Sequence, residues 1–279
     1  MPELAYVNGL VTPVDEARVS IEDRGFQFSD GIYEVVRTHN GGFIDLERHL
    51  ARLERSATML DLALPMPLPE LERVSREFYA QSALPEAIFY LQVTRGAAPR
   101  RHTAPPGLTP TLVMTVRAIT QPPPERYTAI TVPNNRWKLC ACKSIGLLPA
   151  VLAKHAALRA GADEAVFVED GLVLEGASDN FFAVKDGVVY TPDTDGRILA
   201  GVTRERVLEQ LAERGARVEV GPLPLELARS ADEAFITSSV LTVVPIVALD
   251  GRPVGDGRPG PVTGRAREDY WDFIRRTTA

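Results

Sequence analysis

The chain has 279 residues, 45% of them hydrophobic and 24% charged, with a formal net charge of -6. A chain of this size buries a substantial core and needs no disulfide staples. The negative balance argues against a nucleic-acid partner, which needs a concentrated Lys/Arg surface, but leaves room for a local basic pocket holding a small anion.

The start, Met1-Pro2-Glu3-Leu4, lacks the basic and apolar regions of a secretory leader. Ile32 to Thr38 reads as a strand. Leu46, Leu50, Leu53, Ala57 and Leu60 step by three and four, which predicts an amphipathic helix. Leu71, Val74 and Phe78 predict a second helix. Ala87 to Thr94 and Thr111 to Ala118, rich in β-branched and aromatic residues, predict strands. The prolines of Gln121-Pro122-Pro123-Pro124-Glu125 cannot donate to a sheet or continue a helix. They predict a stiff linker, 121–125, between a smaller N-terminal domain, 1–120, and a larger C-terminal domain, 126–279.

Thr128 to Val132 reads as a strand, and Leu148, Val151, Leu152, Ala156 and Leu158 as a helix ending at Gly161. Asp170-Gly171 and Asp186-Gly187 are hairpin turn signals, between Glu164–Val168 and Leu172–Leu174 and between Phe181–Val184 and Val188–Tyr190. Val207, Leu208 and Leu211 mark a helix closed by Gly215. Helices and strands mix without strict alternation, and hairpins recur. The expected class is α+β, with mixed and antiparallel sheets and flanking helices.

Phe235 to Leu249 is the longest apolar stretch, but Thr237, Ser238, Ser239, Thr242 and Pro245 interrupt it. It is too short and too polar for a membrane span, so no membrane partner and a cytoplasmic address are expected. The cysteines are Cys140 and Cys142. On a strand they would face opposite sides, a poor disulfide geometry. No second ligand cluster lies nearby, so no metal is expected and reduced thiols are.

Chemistry enters at Lys143, in Trp137-Lys138-Leu139-Cys140-Ala141-Cys142-Lys143-Ser144. A lysine is costly in so apolar a setting, and burial favours the neutral amine that attacks an aldehyde. A solvated lysine at a strand end is the plain alternative. The surrounding text decides between them. Cys142-Lys143-Ser144-Ile145-Gly146-Leu147-Leu148, Ala153-Lys154, Gly161-Ala162-Asp163-Glu164-Ala165 and Leu174-Glu175-Gly176-Ala177-Ser178-Asp179-Asn180-Phe181-Phe182 together closely resemble the class IV aminotransferases, the fold type IV pyridoxal-phosphate enzymes. The resemblance runs from Val7-Asn8-Gly9 to the C-terminal helix.

The resemblance implies pyridoxal 5'-phosphate as cofactor, held mainly by the larger domain. Lys143 matches the lysine that bonds to the cofactor and then moves the proton at the substrate Cα. Glu175 matches the glutamate facing the pyridine nitrogen. Val202 and Thr203, in Leu199-Ala200-Gly201-Val202-Thr203-Arg204, match phosphate ligands at a helix start, where free amides suit an anion. Arg52 matches an arginine that grips the phosphate, and Ser239 a further hydroxyl ligand.

Val93-Thr94-Arg95-Gly96-Ala97-Ala98-Pro99-Arg100-Arg101-His102 is similar to the Arg-x-His segment of D-amino-acid transaminases. There the residues matching Arg100, His102 and Tyr33 hold the substrate α-carboxylate. An arginine fork with two further donors suits that task. The resemblance implies a homodimer in which Arg100 and His102 complete the neighbouring site. It implies D-alanine-like donors and 2-oxo acids such as 2-oxoglutarate or pyruvate, reacting in ping-pong half-reactions. Branched-chain L-aminotransferase and aminodeoxychorismate lyase are the alternatives, and both lack this Arg-x-His segment. Ala177, where a serine is common, and the extra Arg101 depart from the usual pattern.

Overall fold

Strand pairing through two-residue turns shapes much of this chain. In the computed structural model, which describes residues 3–278, the chain divides into two units. One comprises Met1–Gln121, Cys142–Gly146 and Arg275–Ala279, the other Pro122–Ala141 and Leu147–Ile274. Met1 and Pro2, from the stretch read for a leader, lie outside the described residues, as does Ala279. The changeover at Gln121 falls inside the proline run. The sequence division is continuous, whereas the structure returns Cys142–Gly146 to the first unit.

The first unit contains β1 (Leu4–Val7), β2 (Leu10–Pro13), α1 (Arg24–Phe28), β3 (Gly31–His39), β4 (Gly42–Phe43), α2 (Leu46–Met59), α3 (Leu68–Ser82), β5 (Ala87–Thr94) and β6 (Thr111–Ala118). Its strands form one sheet in the order β2-β1-β6-β5-β3-β4, antiparallel throughout. On β5 the alternation is plain: Ala87, Phe89, Leu91 and Val93 are buried, while Tyr90 and Gln92 are half-buried. On α2 the buried residues Leu46, Leu50, Leu53 and Ala57 follow the helical period and join Phe78 and Leu71 of α3 in the core. Burying each such Leu or Phe contributes about 1.5–3 kcal/mol.

The second unit contains β7 (Tyr127–Pro133), α4 (Leu148–Arg159), β8 (Glu164–Glu169), β9 (Leu172–Gly176), β10 (Asn180–Lys185), β11 (Val188–Thr191), α5 (Val202–Glu213), β12 (Arg217–Val220), β13 (Leu223–Pro224), α6 (Leu225–Arg229), β14 (Glu233–Ser238), β15 (Thr242–Leu249), β16 (Arg252–Pro253) and most of α7 (Pro261–Thr277). The sheet runs β12-β11-β10-β14-β15-β7-β8-β9-β13. It is mixed: β7 lies parallel to β8 and β15, and β11 to β12, while the other pairs are antiparallel. Asp170-Gly171 and Asp186-Gly187 turn their hairpins with φ of 51° and 75°, and 49° and 71°. The left-handed pair favours Asx-Gly at such turns. Phe182 and Phe235 stack at 4.6 Å between neighbouring strands. The α4 helix turns Ala153 and Ala157 inward and leaves Leu148, Val151, Leu152 and Leu158 exposed.

Cys140 and Cys142 sit in a turn rather than a strand, and both are free thiols. Among the described residues no cluster of His, Cys, Asp or Glu could hold a metal ion, and no helix is long and apolar enough to cross a membrane.

Candidate active site

Lys143 is held through its backbone. Its carbonyl accepts from the Tyr33 amide (3.0 Å), and its own amide donates to Ser56 Oγ on α2 (3.0 Å). Ile145 N donates to the Gly31 carbonyl, so the segment runs along the start of β3. That pairing is why Cys142–Gly146 belongs to the first unit. The lysine is half-buried, with Nζ 4.3 Å from the Tyr33 ring centroid.

Beside it lies a buried charged group. Glu34, on β3, accepts from Arg52 Nε (2.8 Å) and NH2 (2.7 Å) and pairs with His49 Nδ1 (2.7 Å). Burial opposes ionisation of Glu34, but Arg52 and His49 outweigh it and hold the carboxyl well below its usual range. Burial also lowers the His49 pKa, with Arg52 and Lys143 adding to the effect against the pull of Glu34. Arg52 thus braces β3 against α2 through two of its nitrogens.

Arg100 and His102 lie on the exposed loop after β5. Arg100 NH1 donates to the Gln27 carbonyl, and its guanidinium sits 4.5 Å from the Phe28 ring centroid. The His102 ring is 5.7 Å from the same ring. No hydrogen bond among the described residues joins either to Tyr33 within one chain. Arg100 and His102 are brought together, and Tyr33 is brought to Lys143.

In the second unit Glu175 is the penultimate residue of β9 and is buried. Its Oε1 pairs with Arg136, and its Oε2 accepts from Asn180 Nδ2 (3.2 Å) and the Leu199 amide (3.1 Å). Asn180 also donates to the Leu199 carbonyl (2.9 Å), and Arg136 NH2 to the Arg197 carbonyl (3.0 Å). The Arg136 guanidinium lies 4.4 Å from the Phe167 ring centroid. Glu175 is therefore a fixed carboxylate. Gly201 is required here, because a Cβ would fall 1.9 Å from Asn180 Oδ1.

Val202 and Thr203 open α5 after Gly201, with no side chain capping the helix. The first-turn amides lack intrahelical partners and face an anion favourably. Thr203 is buried, its Oγ1 3.4 Å from the Tyr270 hydroxyl. Ser239 lies in the turn between β14 and β15. At that turn the hydroxyls of Thr237 and Thr242 are buried with no hydrogen-bond partner, and Thr242 takes a φ of 64°. A β-branched residue there is strained.

Asp179, between Glu175 and Asn180, is buried with both carboxylate oxygens unpartnered. Burial, and then the charge of Glu164, push its pKa well above the ordinary 3.8. A raised carboxyl pKa means stability is full below the ordinary value and falls as pH rises through the folded one. Asp179→Asn removes that penalty. We expect it to stabilise the protein by about 1–3 kcal/mol at pH 8 and to change little at pH 3.5. Urea midpoints at both values check this; equal midpoints at pH 8 would count against it.

Arg136, Ser56 and Asn180 also support the site, through Glu175 and Lys143. Asn180 stands in the Glu175–Asn180 block, which is a usable signal. Arg136 carries none: its link to Glu175 spans 39 residues of chain.

The family pattern of the class IV aminotransferases matches residues 31–249. A D-alanine aminotransferase of Bacillus licheniformis is 39% identical over 98% of this chain and 97% of its own. One from Listeria monocytogenes is 37% identical over 97% and 96% respectively. A solved branched-chain amino acid aminotransferase from Escherichia coli superposes with a TM-score of 0.91 at 25% identity, covering 98% of this chain and 95% of that one. The chain belongs to the class IV aminotransferases and has their fold. It is an aminotransferase, and its substrates are amino acids and 2-oxo acids.

Proposed function

We propose that this enzyme uses pyridoxal 5'-phosphate to move amino groups between D-amino acids of the D-alanine type and 2-oxo acids such as 2-oxoglutarate or pyruvate. The residues present fit the cofactor: a half-buried lysine, a fixed buried carboxylate, an uncapped helix start and orphaned buried hydroxyls. Lys143 would bond to the cofactor and Glu175 would face its ring nitrogen. Arg52, Val202, Thr203 and Ser239 would hold its phosphate. When bound, the cofactor supplies an electron sink for the Cα–H electrons. Lys143 takes that proton and returns it. Glu175, held by fixed donors, would present its carboxylate to the ring nitrogen.

The observation that carries the D-preference is the Arg100–His102 loop, in a chain 35–39% identical to D-alanine aminotransferases over nearly its whole length. Tyr33, Arg100 and His102 would hold the α-carboxylate, with Arg100 and His102 supplied by the partner of a homodimer. Their exposure in one chain fits that arrangement. So does the bare apolar face of α4. The free thiols fit a reducing compartment, the cytoplasm.

The likeness to a branched-chain enzyme favours L-leucine instead, so a panel of both enantiomers with two keto acids is the test. D-alanine should exceed L-alanine and L-leucine as donor. An enantiomer that abandons the carboxylate contacts leaves charged donors unpaired, at about 2–5 kcal/mol, or roughly 30- to several-thousand-fold. Arg100→Ala should impair D-alanine and 2-oxoglutarate together. A preference for L-leucine would falsify the D-specific reading and leave the cofactor assignment standing.

A further inference from the structure

The Arg100–His102 loop is long and exposed, and a carboxylate clamp needs fixed donors. What fixes it is a buried cation on α1. Arg24 is only 5% exposed. Its Nε donates to Asp30 Oδ2 (2.7 Å), NH1 to the Arg101 carbonyl (2.7 Å) and NH2 to the His102 carbonyl (3.0 Å). Every guanidinium nitrogen is thus used, two of them on the backbone of the loop. The planar fork is what allows one side chain to reach two carbonyls and a carboxylate at once.

The fork is itself held. Asp30 also accepts from Arg95 Nε, whose NH1 and NH2 donate to the carbonyls of Asp61 and Leu60. Together Arg24 and Arg95 hold the Asp30 pKa below its ordinary value, against the burial that would raise it. The helix carrying Arg24 is seated by Asp23, whose Oδ1 accepts from the Gly25 amide and Oδ2 from the Thr94 hydroxyl. Gly25 is needed because a Cβ would meet Thr94 Cγ2 at 2.3 Å. The Arg24 amide donates to the Gly96 carbonyl, and Ala98 N to the Glu22 carbonyl. Phe28, on the same helix, meets Arg24, Arg100 and His102.

We propose that Arg24, locked by Asp30, is the positioning residue that sets where Arg100 and His102 stand, and through them the choice of substrate hand. This rests on the carboxylate-holding role of Arg100 and His102 proposed above. Arg24 touches no substrate; it acts through the loop backbone. A buried structural arginine would affect folding alone. A positioning arginine also changes how well carboxylate substrates bind and how well the two enantiomers are told apart.

The test uses the cofactor-loaded enzyme. Arg24→Ala should raise KM for both D-alanine and 2-oxoglutarate and lower kcat/KM by about 10- to 100-fold. It should narrow the D/L ratio and leave cofactor absorbance unchanged. Arg24→Lys places a point charge that serves one carbonyl at a time, so its losses should be intermediate; it also carries the test if the alanine variant does not fold. Unchanged KM and D/L ratio in a folded variant overturn the proposal. Amide exchange across residues 100–104 decides the clamp independently. Faster exchange there in Arg24→Lys supports it, and unchanged exchange overturns it. Should Arg100→Ala leave D-alanine turnover intact, the carboxylate role of Arg100 fails, and the exchange result still judges the clamp.

Discussion

Lys143→Ala is expected to abolish transamination while leaving the fold intact. The contacts that seat this segment are made by backbone atoms, with Tyr33 N, Ser56 Oγ and the Gly31 carbonyl as partners, and truncating the side chain keeps them all. The half-buried amine makes no ion pair among the described residues, so its loss should shift stability by less than about 1 kcal/mol. Activity is another matter. Positioned proton transfer alone is typically worth about 10²–10⁴-fold, and the covalent tether goes with it. Half-reaction rates followed by absorbance check the loss. Borohydride reduction of the loaded wild type should fix the cofactor on the peptide containing Lys143. Two lysines nearby in sequence serve as controls. Lys138 is exposed, and Lys154 is ion-paired with the buried Glu164. Label on either one, or a variant that turns over normally, overturns the assignment.

The sequence announced Lys143 and Glu175 because both stand in one ordered block. It conceals most of what supports them, because every support but Asn180 comes from far along the chain. Ser56 reaches Lys143 across 87 residues, and the Glu175 carboxylate is held from Arg136 and Leu199. The pairing of Ile32 with Ser144 likewise has no local sign, so a continuous domain division could not anticipate it. Strands are legible where they are long and flanked by turn signals. Ala87–Thr94 and Thr111–Ala118 coincide with β5 and β6. The turns Asn8-Gly9, Asn40-Gly41 and Asp250-Gly251 carry the same left-handed pair as the two Asp-Gly hairpins. They join β1 to β2, β3 to β4 and β15 to β16, and some of those strands are only two residues long. Too little periodicity survives there to mark a strand. The stretch Phe235–Leu249 is opaque for a different reason. It holds most of β14 and all of β15, nearly every residue buried, so no alternation shows.

Glu34 is the second case where sequence shows a residue without its circumstances, and it carries the largest stability effect we expect. In the sequence it is one residue of the strand read from Ile32 to Thr38. In the fold it is 1% exposed and neutralises Arg52, which is 4% exposed. Glu34→Ala takes away the buried carboxylate that pairs with Arg52 and removes the partner of His49 Nδ1. Breaking a buried pair from one side typically costs about 3–5 kcal/mol. At that size the thermal midpoint should fall by on the order of 10 °C. Glu34→Gln keeps the shape and removes only the charge, so it isolates the titration. The Glu34 carboxyl is held below its ordinary value of 4.5. A depressed carboxyl contributes stability that is fully present above the unfolded pKa and is lost as pH falls through the folded one. The gap between wild type and Glu34→Gln should therefore be constant from pH 8 to about pH 6 and shrink progressively below about pH 4.5. Urea midpoints at pH 7, 5, 4 and 3 measure it. A gap that stays the same at pH 3 and pH 7 would mean that the charge on Glu34 does not hold Arg52, and that shape alone does.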